Sequence, residues 1–464
     1  MSLRTKVLRG GVYLFLRQGL GVAISTVGII LLTRTIGPSA YGVYGAAIGI
    51  YNFLLILFTW GVEVYLIRHE EEPQLQDYHQ AFSLLLLLGS VGAGLAILAL
   101  PTMERWVRLE GFGPVATVMF AGLPLVLLGR VPLARLERAL DYRSVALIEL
   151  SVLVVYYLVA LPLAYQGFGP WAPIGGWSAQ ELSRLGLLYR TSAYRPRLHW
   201  EWARVRAMVG YGLGFSASIW VWQLRMLVNP LVVGRYAGAD AVGYVALAIR
   251  MVEQLSVLRE ITWRLSIPAL ARVQGNLTRM VKAISEGSSL QTMASGIPLV
   301  AFGLVAPWVV PALFGSRWVP LLEVYPFIAL GYLANSAFNL HSSALYVLQK
   351  NWQVTMFHLV HIVLFAGSAL LLVRYIGVRG YGWAEIVALP SYVVIHACVA
   401  VYIGRPRYAH AGIWFTAWAI PLFGWQFLGP WTMISIVAPL IWPPTRRSLL
   451  RTVAMIWERA SIRA

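Results

Sequence analysis

Four arginines, Arg17, Arg184, Arg225 and Arg250, and four glutamates, Glu149, Glu181, Glu253 and Glu385, stand inside stretches that are otherwise almost wholly apolar. An ionisable side chain near the centre of a bilayer costs at least ~2.5 kcal/mol, so residues of this kind face a protein interior or a water-filled space and mark sites of function. Guanidinium has the planar fork that takes phosphate or carboxylate oxygens two at a time. Arg17 and Arg225 are therefore candidates for holding an anion at membrane depth; the plainer alternative is that each long side chain snorkels to the nearer interface. Arg250 and Glu253 are three residues apart, as are Glu181 and Arg184, and that spacing puts both members of a pair on one helical face within reach of an ion pair. The Glu181–Arg184 pair reads as structural, while Arg250 stays a third cationic candidate. His358 and His361 are also one turn apart, with His341 in the preceding apolar stretch. Zinc needs a third ligand, and no acidic or thiolate partner stands at helical spacing, so the expectation is packing or protonation and no metal.

The elements that must position these residues are membrane helices. Hydrophobic residues make up 59 % of the 464 and charged residues 12 %, with a mean hydropathy of +0.68, which is more apolar surface than one water-soluble core can hide. A crossing of ~30 Å of hydrocarbon takes ~20 mostly apolar residues. Fourteen such stretches follow one another, at 10–33, 41–66, 81–100, 113–131, 144–165, 168–189, 208–234, 240–262, 288–313, 319–348, 353–373, 380–403, 409–425 and 427–442. The sixth is the least regular, because Glu181 and Arg184 interrupt it. The reading is an all-α integral membrane protein with about fourteen crossings, and no segment remains for a soluble catalytic domain.

The chain also contains itself twice. Residues 34–50 read RTIGPSAYGVYGAAIGI and residues 235–251 read RYAGADAVGYVALAIRM, so that Arg34, Gly37, Ala40 and Gly42 fall on Arg235, Gly238, Ala241 and Gly243 at an offset of 201. Each copy sits where one apolar stretch ends and the next begins, so the repeated unit is a set of membrane helices. The offset predicts two six-helix lobes, residues 1–200 and 201–405, followed by residues 406–464 with helices 13 and 14 and a basic tail. Halves related in this way recur in secondary transporters, where one lobe moves against the other around a central site. The shift places Arg17 on Ser218, two turns before Arg225 on the same helix, so both arginines are expected to line one cavity at different depths. It also places Asn52 on Glu253. A carboxyl in one lobe opposite an amide in the other suits a proton or sodium ion, since burial raises a carboxyl pKa toward neutrality.

Charge fixes the orientation. Seven Lys and Arg occupy the odd-numbered breaks, namely Arg34, Arg105, Arg108, Arg235, Arg317, Arg374 and Arg379, and nearly all the rest lie at the chain ends and in the even-numbered breaks. By the positive-inside rule both termini are cytoplasmic and the number of crossings is even. The net charge of +18 therefore describes a cytoplasmic rim that attracts anionic headgroups. Nucleic-acid binding would need those charges gathered on a folded soluble face. The single cysteine, Cys398, lies inside the twelfth stretch and allows neither a disulfide nor a thiolate metal site within one chain.

Several segments, in order, resemble the oligosaccharide and polysaccharide (Wzx-type) flippases of the MOP transporter superfamily. They are GGVYLFLRQGLGVAISTVGIILLTRTIGPSAYGVYGAA with its Leu-x-x-Arg-x-x-Gly-Pro-x-x-Tyr-Gly turn, VPLARLERALDYRSVALIEL followed by GFGPWA, and SIPALARVQGNLTRM, and they cover roughly the first 350 residues. The resemblance implies a MATE/MOP-like bundle of two lobes that moves an undecaprenyl-diphosphate-linked sugar repeat from the cytoplasmic to the outer leaflet of a bacterial inner membrane. It implies a monomer working beside other polysaccharide-biosynthesis membrane proteins, with no cofactor and with coupling to H+ or Na+. Many relatives have twelve crossings, and the two extra ones here would form a groove for the lipid tail, as in the related peptidoglycan-precursor flippases. On this reading Arg17, Arg225 and Arg250 hold the diphosphate, while Glu253 and Asn52 serve ion coupling. A MATE-like cation-coupled small-molecule antiporter shares the fold but should carry unpaired acids in its cavity, where this chain has mainly arginine. A membrane glycosyltransferase should carry acidic pairs or a large outer loop, and the odd-numbered breaks are short and nearly free of Asp and Glu.

Overall fold

A computed structural model describes residues 3–68, 72–443 and 445–446; Arg447, Arg451, Arg459 and Arg463 of the basic tail lie outside them. Every regular element among the described residues is helical. The order begins with α1 (Leu3–Thr59), α2 (Val62–Arg68), α3 (Leu75–Val107), α4 (Phe112–Ala121), α5 (Leu123–Leu128), α6 (Arg130–Arg138), α7 (Tyr142–Tyr165), α8 (Trp171–Ser192) and α9 (Trp202–Gln223). It continues with α10 (Gly234–Leu255), α11 (Val257–Ala271), α12 (Leu277–Leu313), α13 (Tyr325–Val347), α14 (Asn351–Ile376), α15 (Val378–Ala388), α16 (Tyr392–Tyr402), α17 (Ala409–Leu428) and α18 (Ile434–Ile441).

By length and composition, eight helices among the described residues can cross a membrane, or nine if Ser316–Glu323 and Tyr325–Val347, bent by 47°, form one span. Three of the eight, with 37 to 43 residues, are far too long for one crossing, and two of those carry a break. Arg17–Thr59 has 43 residues, or ~65 Å at 1.5 Å per residue, against ~30 Å of hydrocarbon. It breaks at Gly37 (φ 77°, ψ 173°). Ser218–Leu255, with 38 residues, breaks in the same way at Gly238 (φ 82°, ψ −178°). Large apolar side chains such as Leu98, Leu158 and Val401 point outward, 79 %, 67 % and 78 % exposed, as a hydrocarbon solvent requires.

The described residues fall into two compact units. The first lies within Met1–Ala246, Val310–Pro320 and Ala366–Tyr381, the second within Leu247–Val309, Leu321–Phe365 and Gly382–Ala464. In the first, Leu136, Val145, Ile148, Val152 and Leu188 bury a core between α6, α7 and α8. In the second, Met280, Ile284, Ala344, Phe357, Ile395 and Val399 do the same between α12, α13, α14 and α16. Basic residues close helix ends and bind acids at the foot of the first unit. Arg138 donates to the last carbonyls of α2, at Leu66 and Ile67, Arg130 pairs with Glu63 at 3.2 Å, and Arg204 pairs with Asp77 at the start of α3.

Candidate functional site

The aligned glycines Gly37 and Gly238 share one backbone conformation as well as one sequence position, with positive φ and extended ψ. That region is essentially open to glycine alone, so the repeat is one of main-chain geometry. A turn further on, the two copies meet within the first unit. A Cβ on Gly42 would overlap the Ala239 carbonyl oxygen, and one on Gly243 would overlap that of Pro38. Pro38 and Ala239 are themselves repeat partners, so this crossing maps onto itself under an internal two-fold. One on Gly45 would stand 3.1 Å from the Ala246 Cβ.

The repeated arginines follow the same rule. Arg34 Nη1 donates to the carbonyls of Ala312 and Leu313 at 2.8 and 3.3 Å, at the end of α12. Arg235 Nη1 donates to those of Arg105 and Trp106 at 3.4 and 3.2 Å, at the end of α3. Each guanidinium thus supplies donors to the unsatisfied carbonyls of a helix C-terminus, where the macrodipole also favours a cation. Two indoles reinforce the arrangement: Trp318 Nε1 donates to the Thr33 carbonyl at 3.2 Å and Trp106 Nε1 to the Leu231 carbonyl at 2.8 Å. At the opposite end of the second half of α1, Trp60 and Gly61 have positive φ. There a Cβ on Gly212 would overlap the Trp60 carbonyl oxygen.

Arg17 and Arg225 both belong to the first unit, in different settings. Arg17 Nε pairs with Glu149 Oε2 at 2.7 Å, the two side chains being 34 % and 33 % exposed. Arg225 sits where a helix loses its regularity. α9 runs into a 3₁₀ turn at Leu224–Leu227 and then a π turn at Asn229–Val233, since Pro230 has no N–H for the ladder and widens the next turn. Local π geometry of this kind collects at functional sites. The Arg225 guanidinium lies 5.2 Å from the centre of the Trp222 ring, while Trp220 donates its indole N–H to the Ile56 carbonyl. Tyr211 is on the same helix, and its side chain lies outside the described residues.

In the second unit, Arg250 is exposed on α10 and Glu253 accepts a hydrogen bond from Tyr332 Oη at 3.2 Å. Tyr332 links Glu253 to a residue that sequence reasoning missed. Arg259 stands 4.6 Å above the Tyr332 ring and donates to Asn335 Oδ1 at 3.1 Å. A carboxylate, a phenol, a guanidinium and an amide are thereby collected from α10, α11 and α13. Asn52, the repeat partner of Glu253, is half-buried on α1 in the first unit. Glu181 and Arg184 pair at 2.8 Å, as their spacing requires.

The sequence profile of the polysaccharide biosynthesis protein family matches residues 31–323, both copies of the repeat included. The chain belongs to that family. Its polysaccharide biosynthesis relatives include the succinoglycan biosynthesis transport protein ExoT of Rhizobium meliloti (strain 1021), 24 % identical over 306 residues, which are 66 % of this chain and 62 % of that protein. The lipopolysaccharide biosynthesis protein WzxC of Escherichia coli (strain K12) is 22 % identical over 338 residues, 71 % and 68 % of the two chains. The match to ExoT thus spans about three fifths of that relative's length. Among solved structures, the lipid II flippase MurJ in its inward closed conformation aligns over 98 % of this chain and 99 % of its own, with a TM-score of 0.70 and 11 % identity. An inward-facing multidrug resistance MATE transporter of the MOP superfamily covers 82 % of this chain and 94 % of its own, with a TM-score of 0.64 and 17 % identity. At such identities the likeness is one of fold, and this polysaccharide biosynthesis protein has the multi-pass helical fold of that superfamily.

Proposed function

We propose that the protein is a flippase that carries undecaprenyl-diphosphate-linked oligosaccharide or polysaccharide repeat units from the cytoplasmic to the outer leaflet of a bacterial inner membrane, by alternating access and without catalysis. The observation that carries this reading is the match of the polysaccharide biosynthesis family over residues 31–323, beside an alignment with a lipid flippase over 98 % of the chain against 82 % for the drug transporter. The names of the relatives, a succinoglycan transport protein and a lipopolysaccharide biosynthesis protein, point the same way. Arginine at membrane depth supplies the matching chemistry, since a diphosphate presents several anionic oxygens to a forked donor. Arg17 and Arg225 receive the diphosphate in the lobe walls, with Arg250 and Arg259 offering further positive charge. Glu253, held by Tyr332, and Asn52 serve ion coupling. Residues 1–200 and 201–405 act as two six-helix lobes, and helices 13 and 14 of residues 406–464 accommodate the lipid tail.

Reconstitution tests this directly. Liposomes containing the protein and a fluorescent undecaprenyl-diphosphate oligosaccharide should make the probe accessible from the opposite leaflet far faster than protein-free liposomes, and equal rates would refute the function. Glu253→Gln should leave probe binding intact while removing the response of the flipping rate to an imposed H+ or Na+ gradient; a full response in the variant would remove Glu253 from coupling. Topology is checked separately. With fourteen crossings and both termini inside, single cysteines at Gly167 and Ser316 should label with impermeant maleimide from the outside of intact cells, and one at Gly275 only after permeabilisation. The reverse pattern at any of the three would break the orientation.

A further inference from the structure

Three side chains of the second unit, from three separate elements, share one phenol. His341 Nε2 on α13 lies 2.6 Å from Tyr408 Oη, just before α17, and His396 Nδ1 on α16 lies 2.7 Å from the same oxygen. His341 is wholly buried, with its ring stacked 5.6 Å from that of Tyr408, while His396 and Tyr408 are half-buried. Burial pushes the Tyr408 phenol up from its ordinary value, so the oxygen keeps its proton throughout the physiological range.

The hydrogen count then constrains the trio. Two short N···O separations need two hydrogens, and the phenol supplies one. One imidazole must therefore present an N–H to the oxygen while the other presents a bare nitrogen. With His396 as the donor, Tyr408 donates to His341 Nε2. An added proton then settles on His396 Nε2, outside the chain of bonds, and breaks none of them. Transfer inward is balanced: the His396 Nδ1–H bond breaks as that proton passes to the Tyr408 oxygen, the original O–H bond breaks as its proton passes to His341 Nε2, and the positive charge moves from the half-buried imidazole to the buried one. A second added proton would make both imidazoles donors to one oxygen and leave the phenol proton with no acceptor in the trio.

We propose that His341, Tyr408 and His396 form a proton-holding site that passes one proton between α16 and α13. It is separate from the Glu253–Tyr332–Arg259 cluster and does not depend on what the protein carries. Other charged and titratable groups stand on the elements packed around it. Lys282 and Glu286 on α12 pair with each other at 3.8 Å, and the backbone N–H of Arg407, which with Arg405 precedes Tyr408, donates to Ser285 of α12. His361 on α14 bonds Ser391, next to His358 in the helix order, His410 on α17 bonds Thr445, and Arg259 on α11 bonds Asn335. The immediate wall of the trio is aromatic, with Phe338 stacked on Tyr392 and tilted against His341.

Histidine resonances of the full-length protein, ¹⁵N-labelled in lipid nanodiscs and followed from about pH 5 to pH 8, read the site directly. His341→Gln and His396→Gln assign the two signals. In the parent protein both should move over the same pH interval, because one proton is shared between them. In Tyr408→Phe the His396 signal should still move and the His341 signal should stop, since the path to the buried ring is gone. If Tyr408→Phe lowers the melting temperature of tryptophan fluorescence enough to cast doubt on the fold, His396→Gln provides the second reading: its amide keeps a bond to the phenol but takes no proton, and His341 should again lose its titration. Independent movement of His341 in Tyr408→Phe, or immobility of both signals in the parent, would overturn the proposal.

Discussion

Arg17→Ala and Arg225→Ala are each expected to weaken binding of a diphosphate-linked oligosaccharide by roughly ten-fold to over a hundred-fold, the equivalent of about 1.5 to 3 kcal/mol for one charge-assisted bond, and to slow flipping accordingly. Arg17 already has a partner in Glu149 at 2.7 Å, which sharpens the test. Removing the guanidinium alone leaves a carboxylate uncompensated at membrane depth, with a cost to folding that has nothing to do with cargo. The double variant Arg17→Ala/Glu149→Gln removes that cost and should recover the melting temperature without recovering transport. Lysine at either position keeps the charge and loses the planar fork, so it should rescue only in part. Binding measured by fluorescence anisotropy of the labelled lipid-linked sugar, together with the flipping rate, separates the outcomes. Parental affinity and rate in both alanine variants would remove the diphosphate from these residues.

The other large effect lies at the crossing of the two repeats. Gly42→Ala and Gly243→Ala should each destabilise the protein by about 1–3 kcal/mol, the cost of forcing one methyl into a filled contact. The two losses should be similar, because the internal two-fold sets each methyl against the equivalent carbonyl, Ala239 for one and Pro38 for the other. Gly94→Ala is the control, since nothing stands within 4 Å of its Cβ position, and the substitution in an open helical position should be neutral or slightly stabilising. Thermal unfolding in detergent decides the matter. A control that falls as far as the two test variants would show that the crossing is not the source of the loss.

Much of this was legible before any coordinates. The offset of 201 singled out Gly37 and Gly238, and glycine conserved between copies of a turn signals a backbone that other residues cannot adopt; both have the positive φ that explains it. The spacing of Glu181 and Arg184 was sufficient for their ion pair, because one helix fixes the geometry. What resisted reading was whatever depends on a second helix. Glu149 is 132 residues from Arg17, and nothing in a single sequence pairs them. Arg259 stands inside the eighth apolar stretch, 240–262, but its partners Tyr332 and Asn335 lie on α13, and only the fold brings them to it. The histidines show the same limit: His358 and His361 share a helix, while His341 is joined to His396, 55 residues away, through a tyrosine that composition gave no cause to notice.

The glycine crossings also bear on the entropy that the first unit loses as it folds. Where Gly42 meets Ala239, Gly243 meets Pro38 and Gly212 meets Trp60, the touching atoms are main chain. A contact made by interdigitating leucines or lysines would freeze about 0.5–2 kcal/mol of rotamer freedom per side chain as it formed. Helices that meet backbone to backbone have no such freedom to lose. These crossings of the first unit therefore form without a side-chain entropy cost, and their geometry is set by the main chain and by directional bonds such as those of Arg34 and Arg235.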